Sequence, residues 1–364
     1  MAGSQKKLTI VGVIVSIIVL VVLAYKFDVR SVLRTLSRAD LEWVALGALS
    51  YVSLFALRGL RWALILRPLG HVSAGSATEA FVVGAMANNV LPARLGDVSR
   101  ALWLARQETV SRSSVFSSVL FERILDGTTV VALLGAVLWF EPPDAPWVGT
   151  VGKTMGLVFV SASLTVVFVA HAESMVLTLA QRLLRWLPAT LLARVTSILA
   201  KLAHGVAVLR NPKLTLSVLV LSVGIWLSEV AVYAVIQRAF GLHVPWSGLA
   251  LVMCVLTLGL TVPSSPGFVG VYEGLIIATL ALYGDEAQGV AAAFALTMHL
   301  VHYVPVTLIG WALLSRRGLR LRALTSDPPT PMSTPADDSA TRAVPKSGSS
   351  VGTSDDTRAS HLEV

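Results

Sequence analysis

Cysteine is nearly missing from this sequence. Cys254 stands alone among 364 residues, which excludes an intrachain disulfide and a thiolate metal site built within one chain. Charge is scarce too: charged residues make up 14% of the chain, whereas an average soluble domain carries about 25%. Enzyme fingerprints are also lacking. There is no G-x-S-x-G elbow, no Walker A lysine loop and no Rossmann glycine pattern. From these absences the chain is expected to need no cofactor, to hold no ATP-driven motor and not to be an enzyme.

What is present is apolar surface. Hydrophobic residues are 55% of the chain and the mean hydropathy is +0.74, the composition of an all-α polytopic membrane protein. The net charge is +8, and the tail from Thr325 is richer in acid than in base, so the remainder is more basic still. That excess suits membrane orientation and anionic lipid head groups as partners. No compact basic domain exists to bind nucleic acid, and self-association into a homo-oligomer is left open.

Apolar runs of about 20 residues mark full spans at 8–25, 41–57, 120–140, 151–170, 214–240 and 287–314. The first follows Lys6-Lys7, but it exceeds the apolar core of about 7–15 residues in a signal peptide, and no A-x-A site follows, so an uncleaved span is expected. Basic residues set the orientation. Arg182, Arg185, Arg194, Lys201, Arg210 and Lys213 place the connection 171–213 in the cytoplasm, and Arg316, Arg317, Arg320 and Arg322 place the C-terminus there. The loops 141–147 and 241–246 carry no Lys or Arg and face outside. Both termini are then cytoplasmic. Arg30, Arg34 and Arg38, in an outside loop on this scheme, run against it. The membrane domain covers 1–324. Within it, 174–210 has a polar stripe on apolar helices broken by Pro188, suited to lying in the interface. The Pro/Ser/Thr/Asp-rich segment 325–364 reads as a disordered cytoplasmic tail.

Two regions do not read as spans. Residues 77–91 are too short to cross, contain Glu79, Asn88 and Asn89, and stop at Pro92. They read as a re-entrant hairpin. Residues 249–262 and 271–283 flank Pro263-Ser264-Ser265-Pro266-Gly267-Phe268-Val269-Gly270, and are either two thin spans or a second re-entrant hairpin. On this topology the hairpins enter from opposite sides, as an inverted repeat would require, and broken helices of that kind point to a transport site.

Ionisable residues cluster at these breaks, where lipid burial would be costly unless they serve a path. Arg94, Asp97 and Arg100 form an Arg–Asp–Arg fork suited to a phosphate, beside Asn89, with Pro92 forcing a turn and Gly96 permitting close backbone approach. An ordinary positive-inside loop fits the same residues. Glu122 and Asp126 share a helix face at i,i+4, and Arg123 reaches Asp126 at i,i+3; these are either a buried triad or a solvated helix start. Ser264, Ser265 and Glu273 surround the second break, whose turn residues are Pro263, Pro266, Gly267 and Gly270. Glu273 reads either as a membrane carboxylate or as a helix cap. His299 and His302 read as packing or hydrogen-bonding residues, with no third metal ligand nearby, and Glu229 as a membrane carboxylate without an evident partner.

In order along the chain stand Arg58 and Arg61-Trp62, then Asn89-x-Leu91-Pro92-x-Arg94-x-Gly96-Asp97-x-x-Arg100. Glu122-Arg123-x-x-Asp126 follows, then Pro263-x-x-Pro266-Gly267-x-x-Gly270-x-x-Glu273. This series resembles the flippase-like membrane domain of lysylphosphatidylglycerol synthase/flippase proteins, over roughly residues 8–320. The resemblance implies a bacterial inner-membrane protein that moves a lipid between leaflets through a cavity lined by two re-entrant hairpins. Relatives often carry Glu in place of Asp97 and Arg in place of His302. Bifunctional members also have a soluble aminoacyl-transferring domain, and the tail after Arg322 leads to the expectation that synthase activity is absent. The expected function is translocation of a phospholipid or a related anionic or aminoacylated lipid. Its head group would be held by Asn89, Arg94, Asp97, Arg100, Glu122, Arg123, Asp126, Ser264, Ser265 and Glu273, without a metal or catalytic residue. The alternatives are a membrane transferase acting on a lipid-linked substrate, with Asp97 or Glu122 as base, and a non-catalytic scaffold.

Overall fold

The computed structural model describes residues 29–91, 95–108, 110–186, 188–261, 266–284 and 288–317. All lie in the first of two compact units, Met1–Asp327. The expected span at 8–25, the tail, and Pro92, Arg94, Pro263, Ser264 and Ser265 fall outside the described residues.

Among the described residues the chain is helical, without strands. Five helices are long and apolar enough to cross a membrane: α2 (Leu41–Leu66), α5 (Arg112–Phe140), α6 (Pro146–His171), α9 (Pro212–Arg238) and α12 (Gln288–Arg316). At about 1.5 Å per residue each exceeds the roughly 30 Å hydrocarbon core. Their starts carry capping side chains: Asp40 accepts from Glu42 N, Ser111 from Ser114 N, and Asn211 from Lys213 N and Leu214 N, satisfying amides the helix leaves open. In α6 few residues are buried, Val148 and Ala170 among them, and its exposed Leu157, Leu164 and Phe168 suit contact with acyl chains.

The spans differ from the sequence pattern at two points. The second does not end at Arg58; α2 runs on to Leu66 and carries Arg58 and Arg61 inside the helix. Residues Val29–Arg38 form a helix, α1, where the sequence reads as a loop. Its Arg30, Arg34 and Arg38 recur at i,i+4, the spacing of one helix face. It packs on the start of α12, where Ser31 abuts Gly289.

Both irregular regions are hairpins. The first pairs α3 (Ala74–Val90) with α4 (Gly96–Gln107). The arms touch near the tip: a Cβ on Gly96 would lie 2.0 Å from the Gly84 carbonyl oxygen, and Gly96 N–H donates to Asn88 Oδ1 at 2.8 Å. Only glycine fits there. Gly96→Ala is expected to cost about 1–3 kcal/mol through overpacking, read as a lower midpoint for thiol labelling of the buried Cys254 on heating. An unchanged midpoint would contradict the close crossing.

The second hairpin pairs α10 (Trp246–Gly259) with α11 (Val271–Leu280). Gly259, at the end of α10, meets Leu275, and Gly248, near its start, meets Tyr283 just past α11. The arms are therefore antiparallel, an arrangement that two thin spans and a re-entrant hairpin share; at 14 and 10 residues each arm is shorter than the roughly 20 residues of a full span. Connectivity puts the two hairpins at opposite ends of the bundle. The first opens beside the end of α12, where Arg317 pairs with Glu79 at 2.5 Å. The second follows the end of α9, where Asp40 N–H bonds Ala239 O at 3.1 Å, next to the start of α2. Their tips meet at mid-α12. Asn89 Nδ2 donates to Thr307 Oγ1 at 2.9 Å, Tyr303 Oη donates to Asn89 O at 2.9 Å, and the ring of Tyr303 packs on Gly267.

The apolar core is divided in the same place. One cluster contains Leu54, Val130, Leu134, Trp226, most of α10 and Met298. The other contains Trp62, Ile65, Val115, Val119, Val218 and Leu314. Between them along α2, α5 and α9 stand Arg58 and Arg61, Glu122 and Asp126, and Ser222.

Candidate functional site

This polar belt is a network of ion pairs closed inside the bundle. Arg61 is fully buried (0% exposed). Its Nη1 donates to Asp126 Oδ1 at 2.6 Å and to Ser222 Oγ at 3.0 Å, and its Nη2 to Glu122 Oε1 at 2.7 Å. Trp226 Nε1 adds a bond to Asp126 at 3.2 Å. Glu122 and Asp126, one turn apart on α5, therefore grip a single guanidinium from α2. That settles the α5 alternatives in favour of a buried cluster, with α5 beginning ten residues ahead of Glu122.

Arg123 does not pair with Asp126 as the i,i+3 spacing suggests. It forms a bidentate bond to Asp97, Nη2 to Oδ1 at 2.6 Å and Nε to Oδ2 at 3.1 Å. Asp126 Oδ1 takes Arg61 and Trp226, whereas the two oxygens of Asp97 match the guanidinium fork of Arg123. This pair joins the first hairpin to α5 and is the open rim of the belt, with Arg123 39% and Asp97 22% exposed.

Arg100 lies inside that rim, 1% exposed. Its guanidinium sits 4.9 Å from the Trp62 ring and 5.0 Å from that of Phe81, the faces that favour a cation. Trp62 is held by its own bond to Ser118 Oγ at 3.0 Å. Nη1 approaches Glu122 Oε2 at 2.6 Å and Nε approaches Asp97 at 3.6 Å. Neither contact has hydrogen-bond alignment, and Nη2 also has no acceptor among the described residues. Buried N–H groups of this kind are rare in proteins. Here they belong to a cation that can accept a multidentate anion.

A second group of charges lies toward α12. Glu229 has partners that the sequence did not disclose: Arg58 Nη2 at 2.9 Å and His302 Nε2 at 2.8 Å. Glu273 joins His299 Nδ1 at 2.6 Å and also accepts from Gly270 N–H at 2.7 Å, so it is both a buried carboxylate and a helix cap. Gly270 (φ +87°) and Gly267 (φ +72°) take left-handed backbone conformations that disfavour side chains. Pro266 opens the short turn Pro266–Phe268 ahead of them.

Of the residues expected to hold a head group, Asp97, Arg100, Glu122, Arg123 and Asp126 come together with Arg61. Asn89 instead ties the first hairpin to α12, and Glu273 joins the second group. The sequence reading places Arg58 and Arg61 in the motif series but gives them no role at the site, and it misses Ser222, Trp226 and the partners of Glu229. The available signal was the position of Arg58 and Arg61 four and one residues ahead of Trp62 in an otherwise apolar helix.

Fold and site define a polytopic helical membrane protein with a buried charged belt reached by two opposed hairpins. The chain belongs to the family of the lysylphosphatidylglycerol synthase TM region, whose pattern matches residues 9–310. It is 30% identical over 335 residues to Glycosyltransferase AglD from Haloferax volcanii, covering 84% of this chain and 54% of that protein. It thus spans about half the length of that relative. A UPF0104 membrane protein from Methanothermobacter thermautotrophicus is 24% identical, covering 84% of this chain and 93% of its own. Another, from Methanocaldococcus jannaschii, is 27% identical across 33% of this chain and 36% of its own. The glycosyltransferase corrects the expectation that the chain is not an enzyme: a protein named for group transfer is similar over most of this sequence, which points toward an enzyme.

Proposed function

We propose that this chain takes the head group of an anionic or aminoacylated membrane lipid into the charged belt and passes it between leaflets, in the inner membrane with both termini cytoplasmic. Arg100 carries the reading: a buried cation with unaligned N–H donors, flanked by Trp62 and Phe81, just inside the Asp97–Arg123 rim. A phosphate on the rim would meet Arg123 first and Arg100 next, while the acyl chains stay in the bilayer. The opposed hairpins supply two parts able to open toward opposite sides. The basic connection 171–213 supports its cytoplasmic placement, with α7 (Glu173–Leu183) and α8 (Ala189–Gly205) lying in the interface there.

The test is head-group translocation in proteoliposomes holding fluorescent phosphatidylglycerol, aminoacyl-phosphatidylglycerol and a polyprenyl-phosphate lipid. Hydrogen bonds to a charged group are worth about 1.5–3 kcal/mol, so Arg100→Gln is expected to slow movement by about 10–100-fold. Arg100→Lys, which keeps the charge but not the fork, is expected to fall between. Wild-type rates in a folded Arg100→Gln variant would sink the reading.

One observation favours a second reading, transfer onto a lipid-linked substrate: the similarity to the protein named as a glycosyltransferase. Asp97 is then the more suitable base, since it lies at the rim while Glu122 is closed between Arg61 and Arg100. Incubation with labelled sugar nucleotides and membrane lipids tests it. A new labelled lipid, lost in Asp97→Asn, supports transfer; no product with any donor argues against it.

A further inference from the structure

His299 and His302 stand about one helical turn apart on α12, and each ring has oxygen against both nitrogens. His299 Nε2 meets the Gly267 carbonyl at 2.8 Å, and Nδ1 meets Glu273 Oε1 at 2.6 Å. His302 Nδ1 meets the Met298 carbonyl at 2.7 Å, and Nε2 meets Glu229 Oε1 at 2.8 Å. A main-chain carbonyl accepts and cannot donate, so the nitrogen facing it carries a hydrogen. The other nitrogen faces a carboxylate oxygen at hydrogen-bond distance, and that contact also needs a proton, on the ring or on the carboxyl group. Each dyad therefore holds one proton more than a neutral imidazole beside a carboxylate.

We propose that the Glu273–His299 and Glu229–His302 dyads are proton-binding sites, and that proton release at Glu273–His299 frees the second hairpin and couples lipid movement to proton movement. The coupling rests on the lipid-moving reading above; the proton sites do not. On release the proton passes to water and the dyad goes from net zero to one negative charge. The Nδ1 lone pair then faces Oε1 directly, a repulsive contact at 2.6 Å. The two groups part, and both hold the break: His299 grips Gly267 O, and Glu273 grips Gly270 N–H. At the other dyad Glu229 also faces Arg58 at 2.9 Å, so the proton there sits beside a second cation. Loss of the proton leaves a neutral Arg58–Glu229 pair.

Among the described residues, Arg58 at Glu229 is the charge beside the dyads, and aromatic rings cover much of the rest. Tyr272 of α11 stacks on His299 at 4.4 Å, and Tyr303 stands edge-on at 5.8 Å. Tyr51 of α2 and Tyr233 of α9 lie 4.1 Å and 5.9 Å from His302. From α3, Asn89 faces Tyr303 and Thr307, while Glu79 is engaged by Arg317 at the far end. Arg30, Arg34 and Arg38 of α1 run beside the start of α12 near Gly289, about 15 Å along the helix from His299.

The full-length protein in lipid nanodiscs, with 15N-labelled histidine, reads the protons directly; His299→Gln and His302→Gln assign the two signals. Both rings are expected to carry or accept a proton at the carboxylate-facing nitrogen. A His299 nitrogen that neither carries nor accepts a proton overturns the proposal. In proteoliposomes with an internal pH dye, an imposed pH gradient is expected to speed lipid movement severalfold, with proton flux alongside. His299→Gln is expected to lose that gradient response. Wild-type lipid movement indifferent to the gradient overturns the coupling. Titrating dyads in a protein that moves none of the lipids overturn the lipid-moving reading and leave the proton sites in place.

Discussion

Arg61→Met is expected to be the most damaging single substitution among the belt residues, lowering stability by about 3–5 kcal/mol. The penalty comes from what stays behind. Arg61 is fully buried and joins Glu122, Asp126 and Ser222, and methionine fills its volume without its charge. Glu122 keeps Arg100 at 2.6 Å, so it is not left alone. Asp126 loses its direct cation and keeps the Trp226 N–H at 3.2 Å, with Arg58 and Arg123 acting only at longer range, and most of the loss is assigned to this one carboxylate. The double variant Arg61→Met/Asp126→Leu is therefore expected to regain more than half of the lost stability, because apolar replacement of a whole buried pair is often neutral. Thiol labelling of Cys254, buried among α10 residues, reports unfolding in both. A double variant no more stable than the single would show that pairing with Asp126 is not the source of the loss.

The parts of this architecture that were legible in the sequence are those with a local signature. The long apolar runs among the described residues became helices close to their expected positions, and the two irregular regions read from the sequence became helix pairs. The family motif also picked out Asp97, Arg100, Glu122, Arg123 and Asp126, which do converge. What stayed hidden depends on partners far away in the chain. Arg61 bonds Glu122 and Asp126 across 61 and 65 positions, and Arg58 bonds Glu229 across 171. Without those partners a charge in an apolar run reads as the end of a span, and so α2 was cut short at Arg58. The i,i+3 spacing of Arg123 and Asp126 describes what one helix permits, not which neighbour offers a better fork. Likewise the period of 249–283 is that of helix in either topology, and the packing of Gly259 against Leu275 is a contact that no local pattern announces.

Glu229→Leu is expected to come next in effect, with an outcome that separates its two partners. Glu229 sits where α2, α9 and α12 meet, holding Arg58 at 2.9 Å on one oxygen and His302 at 2.8 Å on the other. Leucine strands Arg58, which is left with the rings of Trp226 at 5.2 Å and Phe81 at 5.9 Å. Those faces return roughly 0.5–2 kcal/mol against a buried-charge penalty of about 3–5 kcal/mol. His302 can escape the same penalty by giving up its proton; Arg58 cannot. Adding Arg58→Met to Glu229→Leu is therefore expected to restore most of the stability. The Glu229→Gln variant keeps an acceptor for Arg58 and is expected to lose less than Glu229→Leu. The midpoint of Cys254 labelling for the three variants checks the ranking. No recovery on adding Arg58→Met would mean that a stranded Arg58 is not the source of the loss.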